Sequence, residues 1–359
     1  MMRTHALAPV LLGLSLLILG AGMLHAAPSE TQWRALNEAV IEQHIMPRYQ
    51  KLATQSQAMS QSLDQLCAAP NTTRLIAAQT QFNATLQAWQ GIQHVQFGPV
   101  TLLMRNHGLQ YWPDKKNIGA KQLNQALVQK DITFDEEYFR SASISIKGFP
   151  ALERLLFSKK QVILQNTTEC RLAAAIAQHI SLNTAAIALE WQDEAQQMLN
   201  PSDDGTYESD SAATTELMKS LVEPVDVIRD TKLLSPMGNS LHDSNWKRSE
   251  SWRSQQSIEN IRSNVAALHE LYSKTTPVSV KQLLAESGET DQAEQIEASF
   301  KQVEQTLAVT DEVQGSKLDA NAYAQLTQLT RDLKPLLDQL EESMEPLGIH
   351  LGFNSRDGD

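Results

Sequence analysis

Helical periodicity runs through almost the whole chain, and no other property restricts its fold as strongly. Apolar residues recur at three- and four-residue spacing in one stretch after another, while Gly and Pro gather between the stretches. Residues 29–67 carry Trp33, Leu36, Val40, Ile41 and Ile45 at this spacing. Pro70-Asn71 then breaks the chain, and Asn71 is placed to cap a helix running through Leu75, Phe82, Leu86 and Trp89 toward Gly98-Pro99. NTTE (166–169) reads as an N-cap with Glu three residues on, opening a helix through Leu172, Ile176, Ile180 and Ile187 toward Leu199. Further helices are expected over 212–234, 252–274, 288–312 and 319–345. Only ASISI (142–146) alternates as a strand would, and it is short. Helices of this length with short links pack as antiparallel bundles. The predicted fold is therefore all-α with two helical bundles, 27–200 and 201–359. The polar, acidic NPSDDGTYESDSAA (200–213) is the expected linker or surface loop.

The N-terminus has a different character. One cation, Arg3, precedes an apolar run from Leu11 to Leu24, and small residues follow at Ala26 and Ala27. That is the layout of a secretory signal peptide. The run falls short of the roughly 20 apolar residues that a spanning helix needs, the alternative reading. Residues 1–26 are thus expected to be removed near Ala26, leaving a periplasmic protein without a stable membrane anchor. The full chain holds 30 basic and 42 acidic residues, a net charge of −12. Such a surface argues against nucleic acid as a partner and suits the attraction of cations. Export also makes a Cys67–Cys170 disulfide the expected state of the two cysteines, against the alternative of two buried thiols.

Between 97 and 148 the period is lost. RNHGLQYWPDKKN (105–117) mixes aromatic, charged and turn residues, and long irregular segments in compact helical proteins are often functional. KGFPALERLLF (147–157) follows. Pro150 suits the first turn of a helix, where a missing N–H costs nothing. Gly148 permits a tight backbone entry, and Glu153 near the N-terminus is favoured by the exposed N–H groups and the dipole. A helix start therefore accounts for all three, and a working site is the other reading.

Several segments taken in order, AWQGIQHVQFGP (88–99), YWPDKKN (111–117), KGFPALERLLF (147–157), ESWRSQQSIENIRSNV (250–265) and LGIHLGFNSRDGD (347–359), resemble the imelysin-like family, also called peptidase M75 or insulin-cleaving membrane protease. The family's Gly-x-His-x-x-Glu motif would place a His and a Glu on one helix face, where both can ligate a metal. Here it reads Gly148-Phe149-Pro150-Ala151-Leu152-Glu153. The glutamate carries over and the histidine does not, because Pro150 offers no donor atom. No histidine after the leader begins His-x-x-Glu or His-Glu-x-x-His, which rules out a zinc protease built on that helix motif, and no Gly-x-Ser-x-Gly elbow is present.

The resemblance implies a periplasmic binding protein associated with iron or other metal uptake, with membrane components of iron uptake as partners and a divalent metal or iron as the ligand to consider. In that reading Glu153 is a metal contact. A metallopeptidase and a non-metal binding or interaction module are the alternatives. The candidate ligand-binding residues are Gly148, Pro150, Glu153, His94, Arg105, His107, Trp112, Asp114, Lys116, Trp252 and Arg253. Each also has a plainer reading: packed aromatics for Trp112 and Trp252, a solvent-facing turn for Asp114 and Lys116, and helix initiation for ESWRS (250–254), with Ser251 as cap. An inward-facing Arg253 has Glu153 as its natural partner.

Overall fold

The computed structural model describes residues 26–129, 132–165 and 167–352. The leader expected over 1–26 falls, apart from Ala26, outside the described residues, as does the expected cap Asn166. The longer helices are α1 (Glu30–Val40), α2 (Met46–Ala68), α3 (Thr72–Gln90), α4 (Ile118–Val128), α5 (Phe149–Leu156), α6 (Thr167–Leu199), α7 (Asp210–Asp226), α8 (Ser257–Ser273), α9 (Thr290–Ala308) and α10 (Ala320–Glu342). No strand occurs among the described residues.

Local chemistry explains where these helices begin. Ser29 and Gln32 form a reciprocal capping box at the start of α1. The Asn71 side chain accepts the Arg74 N–H at 3.0 Å, as the sequence leads one to expect. Asp319 does the same for Ala322 at the start of α10. Packing then makes two bundles. In the first, α2 lies along α3 and α6, and α5 packs on both α3 and α6. In the second, α9 pairs with α10, while α8 packs on α9 and α10 on α7. They meet where α1 lies on α7 and α3 on α8, and one hydrophobic core runs through both. α6 is long and apolar enough to cross a membrane by composition; here one face, including Cys170, Ile176, Ile187 and Met198, is buried in this core, while Leu182 and Leu189 are exposed. The fully buried Tyr49 of α2 stacks on Trp191 of α6 with ring centres 5.6 Å apart. On α5, Phe149, Leu152, Leu155 and Leu156 face inward, and each such burial contributes about 1.5–3 kcal/mol.

Cys67, at the end of α2, is bonded to Cys170 in the first turn of α6, with Cα atoms 5.5 Å apart. The bridge closes a loop of sequence separation 103, which in the chain-entropy account stabilises by about 4–5 kcal/mol.

Two π-helical segments interrupt otherwise continuous helices. Ile41–Ile45 joins α1 to α2, and Val227–Leu234 extends α7. Each ends two residues before a proline, Pro47 or Pro236. A proline inside a helix has no N–H for the carbonyl four residues earlier and its ring crowds that carbonyl, so the wider turn relieves the conflict. Helices expected to be unbroken over 29–67 and 212–234 are widened at these points.

Two further expectations change. ASISI forms a 3-10 turn, Ile144–Ile146, in which the Ser143 hydroxyl accepts the Ser145 N–H. The helix expected from 252 begins at Ser257, because Ser251 and Gln255 take left-handed backbone conformations (φ 55° and 57°). Ser251 is not its cap. The free N–H groups of Ser257 and Ile258 donate to the Glu312 carboxylate at 3.0 and 2.8 Å. That acid comes from the segment after α9, so local spacing carries no sign of it.

Candidate functional site

The densest buried polar cluster lies where the bundles meet, and the π segments supply two of its members. Lys232, in the second π segment, is only 5% exposed. Its ammonium donates to Gln90 Oε1 (2.8 Å), Glu250 Oε2 (2.7 Å) and Asn264 Oδ1 (2.7 Å), which uses all three donors. Glu250, 3% exposed, also accepts from Gln110 Nε2 at 2.8 Å and Asn260 Nδ2 at 3.2 Å. Burial pulls the Lys232 pKa down and the Glu250 carboxylate opposes the shift. A buried pair is sustained only when its remaining hydrogen-bonding capacity is met, and here α3, α8 and the irregular segment meet it.

His44, from the first π segment, faces His94 across an Nε2–Nε2 distance of 2.8 Å. One ring must donate and the other accept, so the accepting ring is neutral. Burial, His94 and Arg48 hold the His44 pKa well below the ordinary value; burial and Arg48 lower that of His94 to about 3.

Above this cluster opens a cavity of about 500 Å³, within the size range of small-molecule sites. Trp89, His94, Phe97, Gln110 and Trp112 line one side, and the α7 face with its π extension, including Ser220 and Thr231, lines the other. Before the short helix Arg105–Leu109, Leu103 and Met104 hold left-handed conformations (φ 54° and 57°), strained for residues with a side chain. That turn returns the chain so that His107 and Gln110 reach the cavity. Three buried polar atoms of lining residues have no protein partner: Trp89 Nε1, His94 Nδ1 and Gln110 Oε1. Buried polar groups are nearly always paired, with protein, water or ligand.

The residues around Gly148 occupy different surroundings. A Cβ on Gly148 would stand 2.1 Å from the Leu109 carbonyl oxygen and 2.3 Å from that of Gly108. Close approach of two backbones, not a special φ, requires glycine there. Pro150 occupies the first turn of α5, and Glu153, 4% exposed, points from α5 into the 251–255 turn. Its Oε1 accepts from the Arg253 N–H (3.1 Å), the Ser254 N–H (2.9 Å) and Ser254 Oγ (2.8 Å). Burial raises its pKa, and these bonds act against the rise. The Arg253 guanidinium stands 3.9 Å from Glu153 Oε2 and 4.5 Å over the Trp252 ring. The anticipated Glu153–Arg253 approach is present, but backbone amides provide the closer contacts.

The remaining candidates are dispersed. Asp114 accepts the N–H groups of Ile118 and Gly119 at 2.7 and 2.8 Å, so it caps α4. Arg105 forms a two-bond pair with Glu190 and donates to the Pro99 carbonyl. Lys116 is exposed on the turn. Trp112 also donates its indole N–H to the Arg248 carbonyl at 3.2 Å. The structure thus gathers His94, His107 and Trp112 at the cavity, gathers Trp252 and Arg253 over Glu153, and leaves Arg105 and Lys116 apart. Sequence reasoning missed Lys232, Glu250, Gln90 and Asn264, and it passed over His44. The one local signal was a polar residue three or four positions before Pro47 and Pro236.

The model of the imelysin family, which also bears the name peptidase M75, matches residues 45–343. The chain belongs to the imelysin family. Among curated proteins it is 22% identical over 264 residues to iron-regulated protein A of Synechococcus elongatus, covering 70% of this chain and 68% of that one. Among solved structures, an imelysin-like protein from Psychrobacter arcticum superimposes with a TM-score of 0.76 at 22% identity, covering 91% of this chain and 99% of the other. A putative iron-regulated protein A precursor from Parabacteroides distasonis gives 0.72 at 14% identity, with 91% and 97% covered. These likenesses establish the imelysin fold. Among the described residues no group of three or more His, Cys, Asp or Glu is placed to hold a metal ion.

Proposed function

We propose that this imelysin is an exported, periplasmic binding protein that serves iron acquisition, carries a small-molecule cargo in the cavity between its bundles, and passes it to membrane components of an uptake system. The observation that carries this reading is the contrast inside the site. Of the charged residues in the lining, the buried Lys232 and Glu250 are committed to one another and to amide side chains. Three polar atoms of the lining residues, Trp89 Nε1, His94 Nδ1 and Gln110 Oε1, are buried in the wall of the cavity of about 500 Å³ without a protein partner. Such a surface recognises and orients a ligand. The link to iron rests on the names of the two iron-regulated relatives, and the export reading rests on the leader-like N-terminus and on the word precursor in the name of one of them.

Native mass spectrometry on protein isolated from the periplasm of iron-limited cells tests this. The expected spectrum shows the chain beginning near Ala27 plus a discrete added mass. Gln96→Trp, at the exposed rim of the cavity, should abolish the added mass while leaving the fold intact by circular dichroism. A spectrum with only the bare chain, or an added mass indifferent to this substitution, would overturn the reading.

A further inference from the structure

A second pocket, of about 440 Å³, lies between α4, α5 and the 251–255 turn. Its lining includes Asn124, Phe157, Trp252 and three cations, Arg154, Lys159 and Arg253. The one acid among the lining residues is Glu169, whose pKa burial raises. For a chain with a net charge of −12 this is a local inversion of sign.

The two arginines are also weakly paired. Arg154 stands 3.8 Å from Asp114 and 3.4 Å from the Asn117 side-chain oxygen; Arg253 stands 3.9 Å from Glu153. Neither reaches its carboxylate within hydrogen-bonding distance, whereas Arg105 holds Glu190 with two bonds at 2.5 and 2.8 Å. The reason is visible in the acids. Asp114 is occupied by the N–H groups of Ile118 and Gly119, and Glu153 by those of Arg253 and Ser254 together with the Ser254 hydroxyl. Each carboxylate is held by the backbone and kept just short of its arginine. The guanidinium of Arg253 is meanwhile laid over the Trp252 ring, which fixes its plane. Burial lowers the affinity of Arg253 for its proton, and the like charge of Arg154 nearby lowers it further.

We propose that this pocket is an anion site for a small oxyanion carrying two or more carboxylate or phosphate oxygens, gripped by Arg154 and Arg253 with Lys159 at its rim. Planar guanidinium groups match such oxygens bidentately, and the bound anion relieves the repulsion between the two cations. A pocket of this volume accommodates an organic polyanion as readily as inorganic phosphate. The proposal is independent of the larger cavity and goes beyond the cargo role assigned there.

Isothermal titration of the full mature protein with citrate and, separately, with inorganic phosphate at low ionic strength reads the site. Saturable binding of one or both is expected, and the stronger ligand identifies the class as polycarboxylate or phosphate. Arg154→Gln and Arg253→Gln should each weaken it at least tenfold. Lys159→Gln, on an exposed side chain, should weaken it several-fold with no change in melting temperature. Gln96→Trp, which obstructs the larger cavity, should leave anion affinity unchanged, so loss of the cargo reading and loss of this one are separable. No binding of either anion, or binding that all three cation substitutions leave unaltered, overturns the proposal.

Discussion

Replacing Lys232 with Met keeps the aliphatic stem and removes the ammonium with its three hydrogen bonds, which makes it a probe of the buried cluster. Glu250 would then remain at 3% exposure without its cation. It keeps two neutral donors, Gln110 Nε2 at 2.8 Å and Asn260 Nδ2 at 3.2 Å. Stripping one partner from a buried pair costs about 3–5 kcal/mol, and those two donors place the expected loss near the lower end, about 3 kcal/mol. The double change Lys232→Met with Glu250→Gln removes both charges while retaining an acceptor for Gln110, so it should cost only about 1 kcal/mol, the worth of a neutral hydrogen bond or two. The singles and the double together give a coupling of about 2 kcal/mol or more. Equilibrium urea unfolding of the oxidised protein, followed by tryptophan emission, measures each. A single variant that loses less than about 1 kcal/mol, or a double variant no more stable than the Lys232 single, would refute the claim that the pair is a buried, mutually dependent unit.

Three other outcomes follow from the geometry. Gly148→Ala places a Cβ against two carbonyl oxygens at 2.1 and 2.3 Å, so α5 must shift; a loss of about 2 kcal/mol or more is expected in urea unfolding, and a neutral result would contradict the close approach. His94, with its folded pKa lowered to about 3, binds its proton less well folded than unfolded, so its share of stability is fully present above about pH 6.5 and is lost as pH falls toward 3. His94→Gln should therefore flatten the acid limb of the stability–pH curve between those values, and an unchanged limb would refute the assignment. Cys67→Ser should lower stability by about 4–5 kcal/mol relative to the oxidised protein, and the loss should vanish when both are compared under full reduction.

Much of this architecture can be read from local pattern. Three- and four-residue apolar spacing marks most of the long helices, Asn71 marks a helix start, and the loss of period at 97–148 marks the segment that carries His107, Gln110 and Trp112 to the cavity. The rest is decided by contacts distant in sequence. Glu312 caps a helix that begins 55 residues earlier, and Glu153 clasps a turn 100 residues later. Lys232 reads as an ordinary cation on an amphipathic helix until a π segment and Gln90, 142 positions away, enclose it. The proline in Gly148–Glu153 draws the eye toward a missing ligand, but its surroundings show a helix start whose glycine is required by the Gly108 and Leu109 carbonyls.

If the larger cavity carries a cargo, the indole N–H of Trp89, buried in its wall, reports on it directly. In a two-dimensional ¹H–¹⁵N spectrum of the labelled mature protein, adding a small-molecule extract of periplasm from iron-limited cells should move the Trp89 resonance and leave that of Trp246, buried away from the cavity, in place. A Trp89 resonance that stays fixed would contradict the binding role assigned to the site.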